Sequence, residues 1–409
     1  MDLYARGPFH VDYQARVDFQ ALRAFRLHRA WQSMEAAGLD ALLVWKDENV
    51  RYLTSLRPQL IAGKSGLLNG ALLVVGREPI LLVSGGDYDR VLTTMPWIPE
   101  VRPIPILEER GLIEYTVREV IGDLFARYGL QSARVGYDLA SAALSAALRD
   151  LLPEVRWEDG DAVMQQARQI KGPEELVLLE EATALAEAVT QAAIDAVRAG
   201  RRECEVAAVA METLFRLGGE YAHVTTPFVS SGENMSPPTR LATDKLIRHG
   251  DLVFIDIGAM WNGYFADLGR TVICGEPSAK QRHVYRAVYE AHLAGMEAMR
   301  PGVTNTEVAR VIRQKAADHG LSDRFLSLFI GHGIGVGSNE PPYIGEIFPG
   351  SAEVELRPGM VFAMEPLIWV PGVEGGGGVR LEDMVVITES GPKRVSRLPY
   401  DTCLLGGGS

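Results

Sequence analysis

The 409-residue sequence is poor in cysteine, with three, at 204, 274 and 403. No two are spaced C-x-x-C and the number is odd, so a disulfide framework is not expected and a reducing, cytoplasmic compartment is the simpler reading. Long apolar runs are also missing. The most apolar stretch, A-L-L-V-V-G-R-E-P-I-L-L-V, is broken at Arg77 and Pro79, so no membrane span is expected. No basic stretch followed by an apolar run opens the chain, so it reads as having no signal peptide. Positive charge is in deficit: 41 Lys and Arg stand against 53 Asp and Glu, a formal net charge of -12, which disfavours a nucleic-acid partner. What is present, 47% hydrophobic and 23% charged residues, is the composition of an ordinary globular protein.

The stretch most informative about chemistry is D-L-V-F-I-D-I-G-A-M-W-N-G-Y-F-A-D-L-G-R-T, from Asp251 to Thr271. Asn262-Gly263 is a strong hairpin-turn signal, since both residues tolerate positive φ. A turn there pairs Ala259 with Phe265 or its neighbours and sets position 267 opposite or diagonal to 256. Such cross-strand neighbours share a face. Asp256 and Asp267 then point the same way from an apolar hairpin, where two carboxylates repel each other and lose hydration unless a cation neutralises them. Two acids alone are more often a solvated edge. Further on, however, His332 (I-G-H-G-I-G), Glu365 (V-F-A-M-E-P) and Glu382 (V-R-L-E-D-M-V-V-I) each lie in or beside an apolar, strand-like run. Four carboxylates and one imidazole form an oxygen-rich set with charge enough for two divalent ions, of the kind that suits Mn, Co, Fe or Zn. The glycines beside His332 are expected to let the backbone approach the metal. G-H-G-I-G-V-G does not fit a nucleotide loop.

The ordered set Asp256, Asp267, His332, Glu365, Glu382 resembles the pita-bread metallopeptidase family, which includes aminopeptidase P, prolidase and methionine aminopeptidase, and a metal-free relative, creatinase. The resemblance covers residues from about 169 to 401. The long N-terminal half is similar to the aminopeptidase P, prolidase and creatinase branch. It implies an α+β protein: an N-terminal α/β creatinase-like domain over 1–165, a pita-bread catalytic domain over 166–405 built as a pseudo-twofold pair of α-β units, and G-G-G-S at 406–409 as an appended linker. It further implies that Asp256 holds one metal, Asp267 and Glu382 both, and His332 and Glu365 the other, with Glu365 or Glu382 managing the proton. Arg380 would be a cation beside the ligands or the substrate. Tyr264 and Arg270 would support the hairpin, Tyr264 near the substrate, and Asp383 would lie behind the ligands. The resemblance implies a homodimer, with Trp45, Arg57 and Trp97 as candidates for a lid over the partner's site.

The sequence departs from the peptidase pattern twice. The histidine of N-x-x-x-P-H is replaced by Thr239, and the histidine of G-H-G-x-G-x-x-x-H-E by Asn339. Thr239 can contact a substrate and Asn339 can donate to an oxyanion, but neither is a general base at neutral pH. His223, in E-Y-A-H-V-T-T-P, is a candidate replacement. The expected function is therefore a dinuclear metallohydrolase of an amide-like C–N bond, acting on a small non-peptide or atypical substrate. The alternatives are an Xaa-Pro peptidase proper, or a lyase like that acting on dimethylsulfoniopropionate. The lyase reading is weakened by Ser338 at the position of that branch's aspartate base. A non-catalytic binding module is disfavoured because all five ligands are present.

Periodicity predicts helices over 18–37, 113–128, 141–152, 174–200, 203–217, 279–299 and 306–319. Strands are predicted over 41–45, 71–75, 80–83, 133–137, 330–335, 361–365 and 379–388. No internal repeat shows from spacing alone.

Overall fold

The structure is a computed structural model and describes residues 16–58, 68–224, 227–324, 329–345 and 352–406. The expected loop around 57–68 and the tail glycines at 407 and 408 lie largely outside these residues. The chain divides into two compact units, one of Met1–Arg168 with Gly172–Glu174, the other of Gln169–Lys171 with Glu175–Ser409.

In the N-terminal unit a mixed six-stranded sheet runs in the order Glu100–Ile104, Ile80–Ser84, Asn69–Val74, Ala41–Val44, Arg134–Tyr137, Arg156–Asp159. Helix Phe19–Ala37 begins where Asp18 accepts from the Gln20 and Ala21 amides and ends at Gly38 in the left-handed region. The predicted helix over 113–128 is continuous from Arg110 to Tyr128 but widens to π-helical hydrogen bonding over Thr116–Ile121. Helices Asp47–Thr54, Tyr88–Thr94 and Gly160–Gln169 and strands Glu100–Ile104 and Arg156–Asp159 were not predicted. Each is short or polar, with too few apolar repeats to set a period. Trp45 cannot serve as a lid: it is wholly buried and packs against Gly70. Trp97 Nε1 donates to the Thr54 carbonyl, and Arg57 is exposed.

The C-terminal unit repeats one pattern. Helices Pro173–Asp195 and Glu203–Arg216 precede strand Phe228–Ser231 and a hairpin; helices Ala279–Ala298 and Asn305–Asp318 precede strand Phe329–Gly333 and another. The first hairpin pairs Asp251–Asp256 with Gly269–Cys274 and, beyond a break, Ala259–Trp261 with Tyr264–Ala266. The second pairs Val361–Met364 with Asp383–Thr388 and, beyond a break, Leu367–Trp369 with Gly378–Arg380. In each the register is kept across the break, while the strands pass from a larger sheet into a two-stranded one. Apolar side chains pin the helices to this frame: Val308, Ile312 and Ala291 against Ile330, Phe362 and Val385, and Tyr285, Val288 and Ala316 with Leu252, Ile368 and Val379. No helix among the described residues is long and apolar enough to cross a membrane, and all three cysteines are free thiols.

Candidate metal centre

The acids sit at the breaks. Asp256 ends one strand and pairs with Gly269, which leaves Asp267, two residues earlier, on the diagonal. Glu365 and Glu382 lie between the paired segments of the second hairpin, opposite each other by its register. A break frees the side chain from the strict alternation of the pleat and lets both hairpins aim carboxylates at one point. His332 comes from the strand beside Val361–Met364, where it faces Ala363.

The five side chains meet in one buried cluster, each no more than 4% exposed. His332 Nε2 lies 3.4 Å from Glu365 Oε1 and 3.8 Å from Asp267 Oδ2. Donor atoms of Asp267, His332 and Glu382 lie within 4.8 Å of one another, as do those of Asp256, Glu365 and Glu382. Glu382 thus belongs to both triplets, and Glu365 shares one with Asp256 rather than with His332.

A third triplet, His223 with Asp256 and Asp267, adds a second imidazole to the cluster. His223 Nε2 is 3.4 Å from Asp267 Oδ2 and 3.8 Å from Asp256 Oδ1. The two imidazoles are held differently. Burial lowers both to about 4, so both rings are neutral at pH 7. His332 Nδ1 lies 2.9 Å from the Gly333 carbonyl, which can only accept, so its proton sits on Nδ1 and Nε2 is left as a lone pair facing the acids. The Gly258 amide donates to His223 Nδ1 at 2.7 Å, so that ring carries its proton on Nε2, facing the acids as a donor.

The donor set fits divalent metal. Burial, then Asp256 and Glu365, pushes Asp267 well above the carboxylate range; burial, then Asp267 and Asp256, does the same to Glu382; burial raises Glu365 to about 7 against the pull of Arg380. Asp256 Oδ1, Asp267 Oδ1 and both Glu382 oxygens are buried with no hydrogen-bond partner. Arg380 offsets part of the charge, its Nη1 lying 2.6 Å from Asp256 and 2.8 Å from Glu365. One guanidinium against four carboxylates leaves a deficit that cations would fill.

Of the two places expected for Arg380, beside the ligands or the substrate, it takes the first, as a buried partner of Asp256 and Glu365. Tyr264 is likewise turned to the interior, its hydroxyl donating to buried Glu175 at 2.9 Å. Thr239 and Asn339 are exposed, outside the buried cluster. The glycines beside His332 serve neighbouring strands: a Cβ on Gly331 or Gly333 would lie 2.7 Å from the carbonyl oxygen of Ala363 or Glu340. Behind the site, Asp383 accepts from Arg270, Ser396 and Tyr400 and lies 2.8 Å from His292 Nε2. Arg270 also donates to the Glu382 carbonyl, fixing the backbone that aims that ligand.

The family model "Metallopeptidase family M24" matches residues 177–389, and "Creatinase/Prolidase N-terminal domain" matches residues 26–170. The chain belongs to metallopeptidase family M24. The Xaa-Pro dipeptidase of Pyrococcus furiosus is 31% identical over 91% of this chain and 97% of its own length. A creatinase from a Bacillus species is 26% identical over 91% and 90%. The crystal structure of the prolidase from Pyrococcus horikoshii superposes with a TM-score of 0.76 at 28% identity, covering 92% of this chain and 99% of that one. The pita-bread fold and the metallohydrolase class follow for this M24 chain. One residue whose charge reaches the centre, Arg240, does not stand out in the sequence, since it lies in a proline-rich loop and not in an apolar strand.

Proposed function

We propose that this chain hydrolyses Xaa-Pro dipeptides, using two divalent ions held by Asp256, Asp267, His332, Glu365 and Glu382. The observation that carries the reading is the convergence of four buried carboxylates on an imidazole whose Nε2 faces them, in a chain that matches Xaa-Pro dipeptidases along most of its length. When bound, such ions polarise an amide carbonyl and ease the ionisation of water.

The chain's own residues supply the rest. Arg380 holds Asp256 and Glu365 in place, and Arg270 holds the Glu382 backbone. Glu365 and Glu382 stand where a proton can be taken up and passed to the leaving nitrogen. His223 presents its Nε2 proton beside Asp267 and stabilises developing negative charge, the task that the peptidase pattern gives to imidazoles at positions 239 and 339. Thr239 and Asn339 at those positions support a second reading, a small non-peptide C–N substrate such as a creatine-like compound. The protein is further read as a cytoplasmic homodimer.

The test is a panel. Protein loaded with manganese, cobalt or zinc is offered Ala-Pro, Met-Pro, creatine and cyclic amidines, and products are identified in 18O water. The proposal expects free proline from the dipeptides, one solvent oxygen per product pair, and loss of turnover on chelation. Turnover of creatine or amidines alone would establish the second reading; an alkene product would overturn both.

A further inference from the structure

We infer that Arg240 is the residue that recognises a carboxylate on the substrate, beside the metal centre; the inference deepens the dipeptidase reading and rests on it. The segment 232–242, between strand Phe228–Ser231 and the first hairpin, is tied down at both ends by one buried acid. Glu203 accepts from the Ser231 amide and hydroxyl, from Asn234 Nδ2, and from the Thr243 amide and hydroxyl. Inside the segment the Thr239 amide donates to the Asn234 carbonyl at 2.8 Å, and the Thr239 and Ser230 hydroxyls lie 3.3 Å apart. Ser230 is two residues from Phe228, the register partner of Asp256. On its other side the segment rests on the strand that leads to Arg380: the Gly377 amide donates to Ser236 Oγ, and a Cβ on Gly378 would meet the Met235 carbonyl oxygen at 2.3 Å. The segment is therefore seated between strand Phe228–Ser231, the neighbour of the strand that ends at Asp256, and the strand that ends at Arg380.

Arg240 follows Thr239 directly. Its φ is +61°, a left-handed conformation that residues other than glycine rarely adopt and that tends to mark functional positions. Its side chain is half-buried, yet it makes no hydrogen bond or ion pair among the described residues. Its charge nevertheless reaches the centre. Burial, then Arg380, lower its ionisation on balance, while Asp256, Glu365 and Glu382 draw it upward, and Arg240 in turn helps hold Glu365 down. An arginine present to balance the acids would be bonded to one of them, as Arg380 is. Arg240 keeps its planar set of donors unspent, in the fork geometry that receives a carboxylate bidentately. A dipeptide places its terminal carboxylate one residue beyond the bond to be cut.

The experiment uses the full chain loaded with manganese. Arg240→Asn removes the charge while keeping a residue that tolerates positive φ, and Arg240→Lys keeps the charge without the fork. Calorimetric binding of L-proline and L-prolinamide is measured alongside KM and kcat for Ala-Pro. Wild type should prefer proline by about 10-fold or more, Arg240→Asn should erase that preference without weakening prolinamide, and Arg240→Lys should restore part of it. KM for Ala-Pro should rise about 10- to 100-fold in Arg240→Asn, with kcat and metal content little changed. A preference that persists in Arg240→Asn, or is missing in wild type, overturns the inference, as does loss of metal from the variant. If Ala-Pro is not cleaved but proline is still preferred through Arg240, the dipeptidase reading falls and the carboxylate site stands.

Discussion

The two hairpins of the C-terminal unit invite comparison, because they do the same thing with different closures. Each keeps one register through a break between sheets, and each offers two carboxylates at that break. The first closes on the tight Asn262-Gly263 turn; the second closes through residues 370–377 and a run of glycines laid on neighbouring backbone. Counted from the break, Asp256 ends its paired segment where Met364 ends the other, so Glu365 falls one place further into its break. The second half delivers its imidazole from the strand. The first half has no imidazole on strand Phe228–Ser231, where Ser230 is hydrogen-bonded toward Thr239, and brings its imidazole, His223, from the segment that leads into the strand. Backbone symmetry sets where donors can converge, and the side chains at equivalent places need not share a task.

The largest expected effect tests whether the hairpins are equal partners. Asp267→Asn in the first and Glu382→Gln in the second should each lower kcat/KM by more than about 100-fold, beyond the loss usual for residues that only support a ligand. Metal content by elemental analysis should fall in both. Full metal content and activity in one of the two would show that a single hairpin carries the site.

A smaller effect separates the two closures. An Ala at 376 would place its Cβ 2.4 Å from the Gly232 carbonyl oxygen at a φ of +91°, so Gly376→Ala should cost roughly 2–4 kcal/mol in denaturant unfolding. Asn262→Ala, at a φ of +46°, should cost only about 1 kcal/mol. Equal costs would mean that the glycine run is not packed as described.

The smallest effect concerns pH. Glu365, raised to about 7, and Asp267 and Glu382, also raised, bind protons in the folded state that the unfolded chain has already released. For groups raised in this way, stability falls as pH climbs through the folded values. The imidazoles of His223 and His332, lowered to about 4, act in the opposite sense only up to their ordinary 6.5. Chelator-treated protein should therefore lose on the order of 1 kcal/mol between pH of about 6.5 and 8, and metal-loaded protein should not. A rise in stability over that window without metal would contradict the packing of these acids.

Much of the first hairpin was legible because Asn262-Gly263 announces its register and Asp256 and Asp267 are out of place in apolar strands. Glu365, Glu382 and His332 were legible for the same reason. The repeat was not, since a two-residue turn and an eight-residue closure put equivalent positions out of step. His223 escaped confident assignment because a lone histidine in polar company carries no period; only the Gly258 amide fixes its orientation. Arg240 was not legible, because it lies in a proline-rich loop where no apolar period makes a charge stand out. In the N-terminal unit the long amphipathic helices were readable, and the helix over Asp47–Thr54 was not, being eight residues long and half polar.

The glycine run has one more consequence. Gly376 lies against Gly232 and Gly378 against Met235, backbone on backbone, with no side chain between to absorb movement. The closure of the second hairpin and the loop bearing Arg240 are therefore geared together, so that an insertion at 370–377 should alter which substrates are accepted while leaving every metal-binding side chain untouched.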